Sequence, residues 1–274
     1  MHHPWIGRAL LFGGAGMFAL MVACVATRPS NDRNWAPDQA ILQTAEVEGN
    51  FVTLRNVRNF RYSSVSEFEA SYYDKVVDLR KLDSVWFIVE RFGEMEGAAH
   101  TFVSFGFGDD GFVSISPEIR KEAGESFSPV RGLLKQYELM YVIGDERDLV
   151  KLRTNYRKDE VFLYPVRTDP ARRKQMFLEM IARANKLAEE PEFYNTVTNS
   201  CTVNLVRHVN TISPRRVPFS YRVLLPGYSD SLAWELGLID TDVPLAQLRK
   251  RYRINDLAAR YADDPEFSRR IRGL

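Results

Sequence analysis

Hydrophobic and polar positions divide this chain of 274 residues into regions of different character. Ala9 to Ala26 is an uncharged apolar run of 18 residues, preceded by Arg8 and followed by Arg28, Asp32 and Arg33. That length lies at the low end of the ~17–25 residues that span a bilayer, and it also suits an export signal. Residues 27–36 are polar, carry Pro29, Ser30 and Asn31, and read as a tether. From there to about residue 240, strand-like runs alternate with amphipathic stretches, with no repeat or low-complexity linker, which predicts one mixed α/β domain. The tail, 241–274, is charged and reads as a helical surface extension. The expected divisions are therefore 1–27, 28–36, 37–240 and 241–274.

Within the body, Val52–Leu54, Phe60–Tyr62, Val85–Val89, Tyr137–Ile143 and Val161–Val166 have the β-branched and aromatic content of strands. The runs 99–107 and 112–116 flank Gly108-Asp109-Asp110-Gly111 and predict a hairpin. On its first strand His100, Phe102 and Ser104 share one face, and Thr101, Val103 and Phe105 the other. Ser66–Leu82 reads as helical. A helix should open at Asp169-Pro170, an N-cap followed by the residue favoured at the first helical position. Phe177, Met180, Ile181, Ala184, Leu187 and Ala188 then keep helical spacing up to Pro191. A second helix should start near Asn199-Ser200-Cys201 and end before Pro214.

The formal net charge is only +1, from 37 basic and 36 acidic residues. No global basic excess points to nucleic acid. A chain cut before Cys24 would lose Arg8 and hold 36 of each sign. Two cysteines are too few for a disulfide scaffold. HExxH, CxxC, GxGxxG, Walker A and GxSxG patterns are all missing from the sequence, so neither a metal nor a cofactor is expected.

Cys201 is the leading candidate for chemistry. In the first turn of a helix, free backbone N–H groups and the helix dipole stabilise a thiolate. The competing reading is a small buried cysteine that packs as a hydrophobe. Outside the N-terminal segment only His100 and His208 could serve as a base. His208 lies seven residues along the same helix, roughly 10.5 Å away, so a regular helix excludes it as a partner. His100, on a strand 101 residues earlier, remains. Glu118, just past the hairpin, could orient His100 or instead pair with Arg120 or Lys121. Asn199 or Asn204 could supply an amide to the oxyanion or to the histidine, and Asn199 could equally be only a cap. The DERDLVKLR stretch, 145–153, reads as solvated charge.

Several longer stretches go beyond these general patterns. LRNVRNFRY (54–62), AHTFVSFGF (99–107), SISPEIRKEAGE (114–125), YELMYVIGDERDLVKLRTN (137–155), PEFYNTVTNSCTVNLVRHVN (191–210) and LLPGYSDSLAWELGLI (224–239) resemble the N-terminal periplasmic domain of the bacterial lipoprotein N-acyltransferase Lnb. The resemblance implies an α+β, circularly permuted, NlpC-type papain-like fold, with an antiparallel sheet packed against helices and histidine preceding cysteine. His100 matches the histidine of AHT and Cys201 the family cysteine, with Asn-Ser-Cys-Thr here in place of Asn-Asn-Cys-Thr. It implies a thiol acyltransferase or hydrolase on the periplasmic side of the membrane, acting on phospholipid and lipoprotein. The same dyad would serve a peptidoglycan amidase or peptidase, and a non-catalytic envelope lipoprotein is the third reading. Membrane attachment would run through residues 9–26 or through a lipid on Cys24, which ends a lipobox-like Met-Val-Ala-Cys. Membrane helices follow this domain in Lnb, and the apolar pattern of residues 241–274 predicts none here.

Overall fold

A computed structural model describes residues 28–274. The expected membrane or signal segment, residues 9–26, and the expected lipidation site Cys24 lie outside the described residues. Among those described, no helix is long and apolar enough to cross a membrane.

The described chain forms an α+β domain around one large sheet. Its strands are β1 (Thr44–Glu48), β2 (Phe51–Arg58), β5 (Tyr72–Asp78), β6 (Ser84–Arg91), β7 (Ala99–Gly106), β8 (Phe112–Arg120), β9 (Glu138–Gly144) and β10 (Glu160–Pro165), while β3 (Arg61–Tyr62) and β4 (Phe68–Glu69) form a separate small ladder. The order across the sheet is β1-β2-β9-β8-β7-β6-β10, with β5 also on β2. All these pairings are antiparallel except β2 with β9, which meet in parallel at Arg58 and Gly144, so the expected antiparallel sheet is in fact mixed. The hairpin of β7 and β8 turns through a short 3-10 segment at Gly108–Asp110.

The helices are α1 (Pro129–Leu133), α2 (Glu146–Lys151), α3 (Pro170–Glu189), α4 (Cys201–Ile212), α5 (Tyr221–Leu224), α6 (Ser229–Glu235), α7 (Leu245–Tyr252), α8 (Asn255–Arg260) and α9 (Phe267–Arg270). Two start as the sequence predicts. Asp169 accepts from the Arg172 N–H at 2.9 Å and Ser200 from the Val203 N–H at 3.4 Å, each satisfying a donor that the first turn leaves free.

Strand alternation assigns residues to two cores. Val103, Phe105, Ile115 and Ile143 pack with Phe177, Met180, Ile181 and Leu205 from α3 and α4. Ile88, Phe102, Met140 and Val142 point the other way and meet Leu149 and Val150 of α2 with Ile254, Ala258, Phe267 and Ile271. The C-terminal segment is therefore not a surface extension. Its sparse apolar residues, easily overlooked among the charges, close the second core.

Three other expectations change. Residues 66–82 hold β4 and β5 rather than a helix. The aromatic and β-branched run Tyr72, Tyr73, Val76, Val77 suits a pleated strand, with Val77 buried and Val76 exposed. Residues 28–36 lie against the body: Asn31 Nδ2 donates to the Leu187 and Ala188 carbonyls at 3.0 and 2.8 Å, and the Trp35 ring sits 4.1 Å from the Arg120 guanidinium. The 145–153 stretch is not solvated either, since Glu146, Asp148 and Arg153 are buried, each in an ion pair.

Candidate functional site

The start of α4 and the adjoining ends of β7 and β8 border a cleft of about 360 Å³ whose lining includes Cys201, His100, Glu118, Glu90, Arg153 and Tyr194. Local sequence explains each placement. Ser200 caps α4, so Cys201 is its first residue, with its backbone N–H unused by the helix. Thr202 Oγ1 hydrogen-bonds Thr101 Oγ1 at 2.9 Å and fixes this helix end against β7. One residue earlier on β7, His100 points to the opposite face, as strand alternation requires.

His100 Nε2 lies 2.7 Å from Ser116 Oγ and 3.8 Å from Glu118 Oε1. Ser116 is also among the groups that help to hold the Glu118 carboxyl ionised. Glu118 accepts from Arg153 Nη2 at 2.9 Å. Burial alone would push its carboxyl pKa up, but the charges of Arg153 and His100 outweigh burial and hold it near 2.

Cys201 and His100 shift each other. Burial pushes the thiol pKa up, but the His100 charge, a hydrogen bond with His100 and the Thr101 N–H bring it down to about 7. Burial lowers the His100 pKa, while the Cys201 charge and hydrogen bond raise it by more. Both directions favour a thiolate–imidazolium pair, the resting form of an activated cysteine nucleophile.

Beneath the pair lies a buried ionic floor. Glu90, opposite His100 in the β6–β7 register, accepts from Arg153 Nε at 2.6 Å and Arg157 Nη1 at 3.1 Å. Both arginines lie on one six-residue π-helical segment, Leu152–Arg157, four residues apart and so on one face of it. Burial, then a hydrogen bond with Glu90 and its negative charge, push the Asp159 carboxyl up to about 7. Nearby, Arg58 makes two 2.9 Å bonds to Asp148.

Of the residues expected from sequence, Cys201, His100 and Glu118 line one cleft, with Ser116 bonded to His100. Asn199 and Asn204 do not line the cleft. The Asn199 amide donates to the Phe193 carbonyl at 2.8 Å, and its oxygen accepts from Asn204 at 3.1 Å and Arg207 at 2.8 Å. Asn204 also donates to the Ser200 carbonyl at 2.9 Å. The two amides therefore brace the loop before α4. His208 is buried on Tyr141, with Nε2 2.9 Å from the hydroxyl, and burial lowers its pKa to about 4. Sequence reasoning missed Ser116, Glu90, Arg153, Arg157 and Asp159. Only Glu90 left a signal, as a lone carboxylate at the end of the apolar run Val85–Val89. Among the described residues no cluster of metal-ligating side chains occurs.

An α+β domain that places a cysteine at a helix start beside a strand histidine, over a charged floor, defines the class of this protein. The family is the Lnb N-terminal periplasmic domain. Its model matches residues 68–227, and the chain belongs to it. The matched span includes Cys201, His100, Ser116 and Glu118. No curated protein and no solved structure matches the chain significantly.

Proposed function

We propose that the chain is a thiol acyltransferase of the periplasmic envelope, in a permuted papain-like arrangement, that takes an acyl group from a membrane-lipid ester onto Cys201. The observation that carries this reading is geometric: Cys201, the first residue of α4, and His100 line one cleft, with Glu118 3.8 Å from the histidine. His100 Nδ1 accepts the thiol proton, and Nε2–H donates to Ser116 Oγ, which donates in turn to the ionised Glu118. The thiolate then attacks the ester carbonyl. The oxyanion forms beside the free Cys201 N–H at the helix start, where the dipole favours negative charge. Tyr194, whose hydroxyl has no partner among the described residues, is a second donor. The C–O bond breaks, the alcohol leaves with the His100 proton, and a thioester remains on Cys201. An incoming amine yields an amide, or water a free acid, with His100 taking and returning one proton.

The test is acyl-enzyme trapping. The full chain is incubated with phospholipid and the Cys201 peptide is weighed. A hydroxylamine-labile increase equal to the acyl chain is expected, absent from His100→Ala. Transfer to a peptide bearing an N-terminal lipidated cysteine then tests the acceptor. Cleavage of muropeptides with no acylation by lipid would overturn the lipid reading in favour of a peptidase.

A further inference from the structure

Beside the cleft, residues 127–134 expose an apolar surface that the domain does not use. Phe127, Val130, Leu133 and Leu134 are 45%, 63%, 47% and 38% exposed. Short α1 and its flanks are nevertheless firmly fixed. Ser128 caps α1, Thr196 Oγ1 donates to the Pro129 carbonyl at 2.7 Å, and the Tyr137 hydroxyl donates to the Ser126 carbonyl at 2.5 Å. This surface is thus a rigid platform, and the Thr196 bond ties it to the loop that leads into Cys201. Phe127 itself lines the Cys201 cleft.

The charges that this segment itself carries have one sign. Residues 126–137 contain Arg131 and Lys135 and no acid. Arg131 is paired with Glu125, whereas Lys135 is exposed and forms no ion pair among the described residues. Rigid exposed apolar side chains beside an unpaired cation are the composition that binds an anionic lipid surface, where apolar burial and headgroup attraction add. A protein partner would need complementary shape, whereas a bilayer needs only this composition.

We propose that residues 127–135 dock the domain on an anionic bilayer and so hold the mouth of the Cys201 cleft against the lipid. This rests on the lipid reading of the site for its purpose, but it can fail by itself. An acyl donor would then reach Cys201 by a short movement out of the membrane rather than by diffusion through water.

The test uses the full chain with Leu133→Trp, in vesicles of phosphatidylethanolamine and phosphatidylglycerol carrying brominated acyl chains. The unmodified chain, with its four native tryptophans, supplies the background. The new indole should shift to shorter wavelength and be quenched by bromine. Adding Val130→Glu should abolish both effects, and Lys135→Gln should lower the membrane-inserted fraction of the new indole about fivefold, the equivalent of one basic residue at such a surface. Hydrolysis of a water-soluble thioester should be unchanged in all three variants, which separates docking from the Cys201 chemistry. An indole that stays water-exposed and unquenched while the protein sits on the vesicles would overturn the proposal.

Discussion

On one face of the sheet Val103, Phe105, Ile115 and Ile143 meet Phe177, Met180 and Leu205, and stability comes from dry packing. At the cleft end of the other face, Glu90, Glu118 and Arg153 are held by ion pairs of 2.6 and 2.9 Å next to His100. Packing of the first kind stabilises without specifying the direction of any one group. Buried ions act in the opposite way. Their desolvation cancels much of their attraction, but their bonds fix orientation. The domain thus builds its fold on one face and aims a histidine on the other, and α4 brings Cys201 from the packed face to the end of the sheet where the two meet.

The sharpest way to break this contrast is at the pair. Cys201→Ala and His100→Ala should each lower acyl transfer at least about 10³-fold in a steady-state assay while leaving the melting temperature nearly unchanged. Next in size, Arg153→Met leaves Glu90 and Glu118 buried without their shared cation and should cost about 3–5 kcal/mol in denaturant unfolding. The triple replacement Glu90→Leu, Arg153→Met, Glu118→Met should recover most of that stability and none of the activity. Recovery of both would mean that the ions do not aim the histidine. On the other face Phe177→Ala should cost a similar ~3–5 kcal/mol, yet the folded fraction should keep the wild-type alkylation rate at Cys201.

Smaller effects refine the ionic side. Ser116→Ala should reduce kcat roughly tenfold to a hundredfold by loosening the His100 tautomer, and Ser116→Thr should restore part of it. The Glu118 pKa is depressed from 4.5 to about 2 in the fold, so its stabilising contribution is complete above the ordinary value and is lost as pH falls toward 2. Glu118→Gln should flatten the acid limb of the stability curve in that window. Asp159 has the opposite sign. Its pKa is raised from 3.8 to about 7, so the fold loses stability as pH rises through that interval, and Asp159→Asn should remove this slope.

Sequence patterning made one face of this contrast legible. The Asp169 and Ser200 helix starts, the β7–β8 hairpin and the alternation of His100 against Thr101 follow from local rules. Cys201 and His100 were reachable by elimination, because so few histidines exist. What escaped depends on long-range geometry. Glu146, Asp148 and Arg153 look like surface charge until their partners, Arg272, Arg58 and Glu90, are brought in from distant strands and helices. Arg153 and Arg157 stand four apart, a spacing that puts them on one helix face, but the carboxylate that they share is Glu90, more than sixty residues away in sequence. The exposed edge segment 72–78 mixes exposed and buried β-branched residues in a way that also resembles a helix. Ile254, Ala258, Phe267 and Ile271 are too widely spaced to mark a core without the sheet beneath them.

The central claim is that His100 holds Cys201 as a thiolate, and peptide-resolved alkylation of Cys201 in the full chain against pH tests it most directly. The account predicts a reactivity midpoint near 7, well below the ordinary thiol value of 9.0, that moves up toward that value in His100→Ala. A wild-type midpoint at the ordinary thiol value, or one that His100→Ala leaves in place, would contradict it.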